Sequence, residues 1–106
     1  MVRMILVYWR DIPSQVIVQR GRRREKALLS ERFQAAIDRA AMRAGKGGSD
    51  AYLAEWRRES SSIDSDDELA AIAEGQAARF ESEFSDDRLL GLIRNHGNAT
   101  EPGSSK

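Results

Sequence analysis

The sequence predicts an α+β domain in which a small antiparallel β-hairpin or three-stranded sheet packs against about three helices. Two observations predict this class. Two runs rich in β-branched and aromatic residues lie near the N terminus, at residues 4–9 and 15–19. Three stretches with apolar residues at helical spacing follow, after Ser30, Ser65 and Ser85. Strands followed by helices, rather than strands alternating with them, are typical of an α+β layer.

The two β runs are separated by five residues that contain Pro13. Proline has no backbone N–H and disfavours helix in the residue before it, so residues 10–14 are predicted to form the hairpin turn. The second strand is expected to continue through the basic residues that follow it. Gly21 is predicted to mark a bulge or bend in that continuation.

Residues 49–60 fit two structures. As a strand, Tyr52, Ala54 and Trp56 would share one face. As a helix, Tyr52 and Trp56 would meet at positions i and i+4. Helix propensity favours the second structure. The first is preferred, because a two-stranded sheet alone is marginally stable and a third strand would support it.

Each of the three helical stretches has end signals. Ser30 is a suitable N-cap for the first helix, and Gly45 is a suitable C-terminal glycine. Ser65 and Glu68 have the spacing of a capping box for the second. Ser85 is a suitable N-cap for the third.

The chain of 106 residues is long enough for one domain, which is predicted to cover residues 1–97. A linker-like serine- and acid-rich stretch is predicted near residues 59–65, and residues 98–106 are predicted to be a disordered tail. The sequence has no cysteine, which excludes disulfides and thiolate chemistry. No signal peptide and no apolar run of ~20 residues is visible, so a cytoplasmic protein without a membrane partner is expected.

Charge is balanced overall but unevenly distributed, with 17 basic and 17 acidic residues. Residues 1–30 hold seven basic and two acidic residues, whereas residues 55–90 hold four and eleven. A net charge of zero argues against strong non-specific nucleic-acid binding. The asymmetry allows a local basic patch, and it also lets the two halves of the chain attract each other.

The candidate site is a basic cluster near aromatic residues. The residues predicted to contact a partner are Tyr8, Trp9, Arg10, Arg20, Arg22, Arg23, Arg24, Lys26 and Trp56. The preferred interpretation of the basic cluster is a solvated strand end or an edge that docks an acidic protein. The alternative is a small RNA- or ssDNA-binding module that uses residues 20–26, since guanidinium groups pair with phosphates and aromatic rings stack on bases. For the two tryptophans themselves, a role as core anchors is the preferred interpretation, and an interface contact becomes the better one if either is exposed.

Nothing in the sequence favours an enzyme. His96 is the only histidine, and no basic group accompanies the serines as in a nucleophile elbow. The acidic clusters lie at helix starts, where capping and the helix dipole account for them. No catalytic residue, metal site or cofactor is therefore predicted, and the oligomeric state stays open.

Four segments of the chain resemble a known family. They are the opening "YWR.IP.QV", the basic turn, the helix pattern "L..RFQ.AID.AAM.AG" and the segment "DAYL..W". Together they resemble the small bacterial domain called "virulence factor", which also occurs in conserved virulence factor C proteins. The resemblance implies an accessory role near folate- and corrinoid-linked methyl transfer, and it carries over no active-site residue. The function predicted is thus a non-catalytic accessory or protein-interaction domain, and an enzyme or enzyme subunit in one-carbon metabolism is the alternative that the resemblance implies.

Overall fold

The computed structural model describes residues 1–99 as four strands and four helices. In chain order the elements are β1 (Val2–Trp9), β2 (Ile12–Arg20), β3 (Arg23–Leu28), α1 (Glu31–Arg43), α2 (Ser49–Leu53), β4 (Trp56–Ile63), α3 (Leu69–Glu83) and α4 (Asp86–Arg94). The prediction of an α+β fold is confirmed, with one strand more than the largest sheet expected. The predicted tail falls mostly on residues 100–106, which lie outside the described residues.

The four strands form one antiparallel sheet in the order β3-β2-β1-β4. Ile5 of β1 lies opposite Ile17 of β2, so the two N-terminal runs pair as the predicted hairpin. The central strands are the two most apolar ones, and the polar strands β3 and β4 form the edges.

The turn between β1 and β2 is shorter than predicted. It contains only Arg10 and Asp11, and Arg10 adopts a left-handed backbone with φ of 53°. Pro13 lies inside β2, opposite Tyr8, where the β1–β2 register shifts. A proline is tolerated there because β2 pairs with β3 only from Gln15 onward, so no hydrogen bond to β3 is lost.

The basic residues after β2 do not continue that strand, which corrects the prediction. Gly21 and Arg22 form a tight turn, and Gly21 has a φ of 60°, which glycine adopts without strain. The chain then returns as β3, so the basic run is a second hairpin.

The ambiguous segment 49–60 contains both proposed structures in succession. Residues 49–53 are helix α2, and β4 begins at Trp56. The linker predicted near residues 59–65 is wrong for residues 59–63, which belong to β4. Serine and glutamate have low strand propensity, but pairing with the strongly β-forming strand β1 overrides it.

The helices pack on one face of the sheet and form the main core with it. Phe33 and Ile37 of α1, Phe80 of α3 and Leu92 of α4 are buried there in one cluster with Val16 of β2. The helix predicted to start after Ser65 begins instead at Leu69, with Glu68 at the N-cap. The Ser65 hydroxyl accepts a hydrogen bond from the Asp67 N–H, so it closes a local turn.

The open face of the sheet as the candidate site

The two faces of the sheet differ in what lies on them. The helices pack on the covered face, whereas no helix within residues 1–99 lies over the cluster of Ile5, Val7 and Ile17 on the other side. The alternation of side chains along each strand and the observed register assign twelve positions to this open face. They are Arg3, Ile5, Val7, Gln15, Ile17, Gln19, Arg24, Lys26, Leu28, Arg58, Ser60 and Ser62.

The centre of the open face is a small aliphatic floor. Ile5, Val7 and Ile17 are only 5–7% exposed although no helix covers them. Their neighbours across the sheet are long polar side chains: Lys26 lies beside Ile17, and Arg58 lies beside Val7. The aliphatic stems of such residues shield apolar surface while their charged ends stay in water.

The charge of the open face has one sign. Its twelve positions include four cations, Arg3, Arg24, Lys26 and Arg58, and no carboxylate. None of these four forms an ion pair within residues 1–99. The open face is therefore suited to an anionic ligand.

Two adjoining depressions cross the open face between its edge strands. One is bordered by Ile17, Lys26 and Arg58, and the other by Val7, Arg58 and Trp56. Glu25 reaches the rim of the first, although its strand position belongs to the covered face. The depressions also share Gln15, so they can accommodate one extended ligand.

The predicted basic cluster is divided by the fold. Arg24 and Lys26 lie on the open face, and Arg22 and Arg23 lie at the exposed β2–β3 turn and its edge. Arg20 donates hydrogen bonds of 3.0 Å to the carbonyl oxygens of Ser65 and Asp67. Arg20 thus ties the sheet to the segment before α3, and its strand position does not belong to the open face.

Arg10 lies at the opposite end of the sheet from the β2–β3 turn. Its guanidinium group donates to the Glu55 carboxylate at 3.2 Å and to the His96 carbonyl oxygen at 2.9 Å. It also lies 5.3 Å from the centre of the Trp9 ring. These contacts join the end of β1, the residue before β4 and the segment after α4, so Arg10 has a structural role.

Tyr8 and Trp9 do not offer the exposed surface that the sequence prediction required. Trp9 is completely buried, donates its indole N–H to the Tyr52 carbonyl oxygen at 2.9 Å and stacks on the Tyr52 ring. Tyr8 packs edge-on against Phe80, with the Arg57 guanidinium 4.4 Å from its ring centre. Burial, with Glu59 nearby, raises the pKa of Tyr8, so its phenol stays protonated.

Trp56 is the one predicted aromatic residue at the border of the open face. It is half-buried, touches the floor of Ile5, Val7 and Ile17, and lines the second depression. Sequence reasoning missed Arg58 as a site residue. The alternation of the strand predicted for residues 49–60 already placed Arg58 on the face of Trp56, but it was not followed beyond Trp56.

Within residues 1–99, no group of three or more His, Cys, Asp or Glu side chains is placed to hold a metal ion. In the same range, no helix has the length and apolar character needed to cross a bilayer. Localisation in the cytoplasm remains a prediction.

Comparison with known proteins gives one match. The model of a family described as "Virulence factor" matches residues 7–93, which include all elements except the start of β1 and the end of α4. Searches of curated proteins and of solved structures find no match.

Proposed function

The chain belongs to the virulence factor family, and from this premise we propose that it is a non-catalytic binding domain whose open face holds an acidic partner protein. The proposal rests on one observation: all charged side chains at the positions of that face are positive. Four cations surround a partly shielded aliphatic floor, with no carboxylate among the twelve positions. Charge complementarity of this kind guides association and excludes partners of like charge.

The shape of the site favours an extended polypeptide. The joined depressions run from Lys26 on β3 to Trp56 on β4, across all four strands. A chain lying along them would place apolar side chains on the floor and carboxylates near Arg24, Lys26 and Arg58. Trp56 supplies the large aromatic contact that binding sites commonly use.

A nucleic acid is the less favoured ligand for this face. Sheets that bind single strands place aromatic rings where the bases lie, and each stacked base contributes about 1–3 kcal/mol. Here the corresponding positions at the centre are Ile5, Val7 and Ile17, and the aromatic residues Tyr8 and Trp9 pack into the covered side. The face thus offers phosphate contacts but only Trp56 for stacking.

The test compares two anionic probes of equal length and charge, a glutamate-rich peptide containing leucine and single-stranded oligothymidylate. Binding is measured by fluorescence anisotropy at low and at physiological salt. We expect the peptide to bind more tightly. We also expect the double variant Lys26→Ala/Arg58→Ala to weaken peptide binding about tenfold, since each lost charge contact contributes roughly 0.7 kcal/mol.

The matched control is Arg39→Ala/Arg43→Ala, which removes two exposed arginines from α1 on the helical side. It changes net charge by the same amount and should leave the affinity within about twofold of the unmodified chain. Tighter binding of the oligonucleotide would assign the face to nucleic acid and reject the proposal. Equal weakening by both double variants would show that the open face has no special role.

An association with one-carbon metabolism, through folate- or corrinoid-linked methyl transfer, rests on the resemblance alone. The open face gives it no additional support, because a shallow, mostly polar surface differs from the apolar clefts that hold cofactors. Mass spectrometry of the natively purified protein would test it by detecting bound folate or corrinoid.

A further inference from the structure

Strand β4 is exposed along its outer edge and on much of both faces. It pairs with β1 on one side and is the last strand of the sheet on the other. Residues 58–62 are all exposed, because the helices lie mainly over the other half of the sheet. An edge strand of this kind presents a row of backbone groups to which another strand can pair.

The two edges of the sheet are protected to different extents. Edge strand β3, with the sequence RREKAL, has charged side chains at four of its six positions, a pattern that discourages further pairing. In β4 the second half, Ser60 to Ile63, has no charge and no proline. Its register with β1 is regular from Val2 to Trp9, so no bulge turns this edge away.

From these observations we propose that β4 pairs with β4 of a second copy of this chain, antiparallel about a two-fold axis at Ser60. A two-fold axis perpendicular to the sheet brings open face beside open face, and residues on the same face then lie opposite each other. Ser60 lies opposite Ser60 of the second copy, and Arg58 lies opposite Ser62.

Charge complementarity supports this register. No like charges are directly opposed in the paired stretch 57–63, and Asp64 of the second copy follows that stretch directly, two residues after the Ser62 that lies opposite Arg58. Shifting the axis to Glu59 would oppose two glutamates, which is destabilising. Shifting it to Ser61 would shorten the paired stretch from residues 57–63 to residues 59–63.

The pairing would join the two sheets into one and place the two open faces side by side. It does not depend on the proposed function, because the strands pair through backbone groups at the edge, and Arg58 is the one cation of the open face that also lies within the paired stretch. The interface is smaller than the ~1,600 Å² of a standard complex. We therefore expect a concentration-dependent equilibrium between monomer and dimer.

Cysteine cross-linking provides a sharp test, because the chain has no cysteine of its own. Opposed residues of antiparallel strands have Cα atoms about 4.5–5.5 Å apart, which a disulfide can bridge. The variant Ser60→Cys should form a covalent dimer under mild oxidation with diamide. The matched control Ser62→Cys should stay monomeric. Position 62 of one copy lies opposite position 58 of the other, so the two introduced thiols would be about 13 Å apart along the strands.

Sedimentation velocity of the unmodified chain over a wide concentration range tests the association itself. Ser60→Lys places two like charges opposite each other and should abolish the dimer, while circular dichroism and urea unfolding show that the fold is kept. A chain that stays monomeric at every concentration would overturn the proposal. Pairing of β4 with a strand of a different protein would not rescue it, because the proposed partner is a second copy of this chain. Cross-linking of Ser62→Cys but not of Ser60→Cys would overturn it as well.

Discussion

The covered face and the open face of the sheet both shield apolar side chains, but they do so by different means. On the covered face, Val16 is completely buried under rigid helices. On the open face, Val7 is 7% exposed and borders a depression whose lining includes the flexible side chains of Gln15 and Arg58. Rigid packing stabilises the fold, whereas a flexible cover can be displaced by a ligand. The comparison separates the part of the molecule that holds the structure from the part that is available for binding.

The largest expected effect comes from a matched pair of valine substitutions. Val16→Ala should lower the free energy of unfolding by about 2–3 kcal/mol, because the helices cannot close the cavity. Val7→Ala should lower it by about 1 kcal/mol, because the flexible side chains above it can settle into the gap. Urea denaturation of both variants measures the difference, and equal losses would remove the distinction between the two faces.

A second pair of substitutions tests the covered side at Trp9. Gly97 has a φ of 90°, and a Cβ atom there would lie 2.9 Å from the Trp9 ring. Gly97→Ala should therefore destabilise the fold by about 2 kcal/mol.

The control for this pair is Gly75→Ala within α3, where an added Cβ meets nothing within 4 Å. It should stabilise the protein by about 0.5–1 kcal/mol, since glycine disfavours helix. Thermal unfolding measures both changes. An unchanged midpoint for Gly97→Ala would show that Trp9 is not held tightly there.

Acid stability should depend on the covered side, because the open face has no carboxylate to titrate. Burial acts to raise the pKa of Glu81, but hydrogen bonds from Ser30 and Arg32 outweigh it, so this pKa lies below its ordinary value of 4.5. A depressed pKa in the folded state contributes stability above pH 4.5, and this contribution is lost as the pH falls through the folded-state value.

Glu81→Gln should accordingly show a shallower loss of stability below about pH 4.5 than the unmodified chain. Urea unfolding at a series of pH values measures the slope. The control is Glu31→Gln, at an exposed position in the first turn of α1. A parallel slope for Glu81→Gln and the unmodified chain would contradict the assignment.

The smallest effect on stability is expected on the open face itself. Lys26→Ala and Arg58→Ala should each change the free energy of unfolding by no more than about 0.5 kcal/mol, since both side chains are exposed and form no ion pair within residues 1–99. Both should nevertheless reduce binding of the acidic peptide. A large loss of stability would mean that these cations belong to the structure and not to a ligand site.

Local signals in the sequence predict some elements well and misplace others. The periodicity of α1 and the glycine after it predict that helix closely, and Gly45 indeed has a φ of 71°. The Ser85 hydroxyl caps α4 by accepting from the Arg88 N–H, as predicted. Ser30 occupies the predicted N-cap of α1, but its hydroxyl donates to Glu81 of α3 instead. That partner is 51 residues away, so no local pattern could indicate it.

The same distinction applies to the candidate site. A basic run is visible in the sequence, and so are the aromatic residues near it. The sequence does not show that the run bends back at Gly21, so that Arg24 and Lys26 reach the open face while Arg20 turns to the start of α3. Nor does it show that a low-propensity segment pairs with β1 and brings Arg58 to that face.

By itself, the sequence determined the α+β class, the N-terminal hairpin, helices α1 and α4 and the presence of a cationic segment. These features depend on side-chain periodicity, turn chemistry and composition, all of which act over a few neighbouring residues. Only the tertiary structure decided which strands form the edges, which arginines are structural and which side chains share the open face. Those outcomes depend on strand register and long-range pairing, where a shift of one residue moves every side chain to the other face.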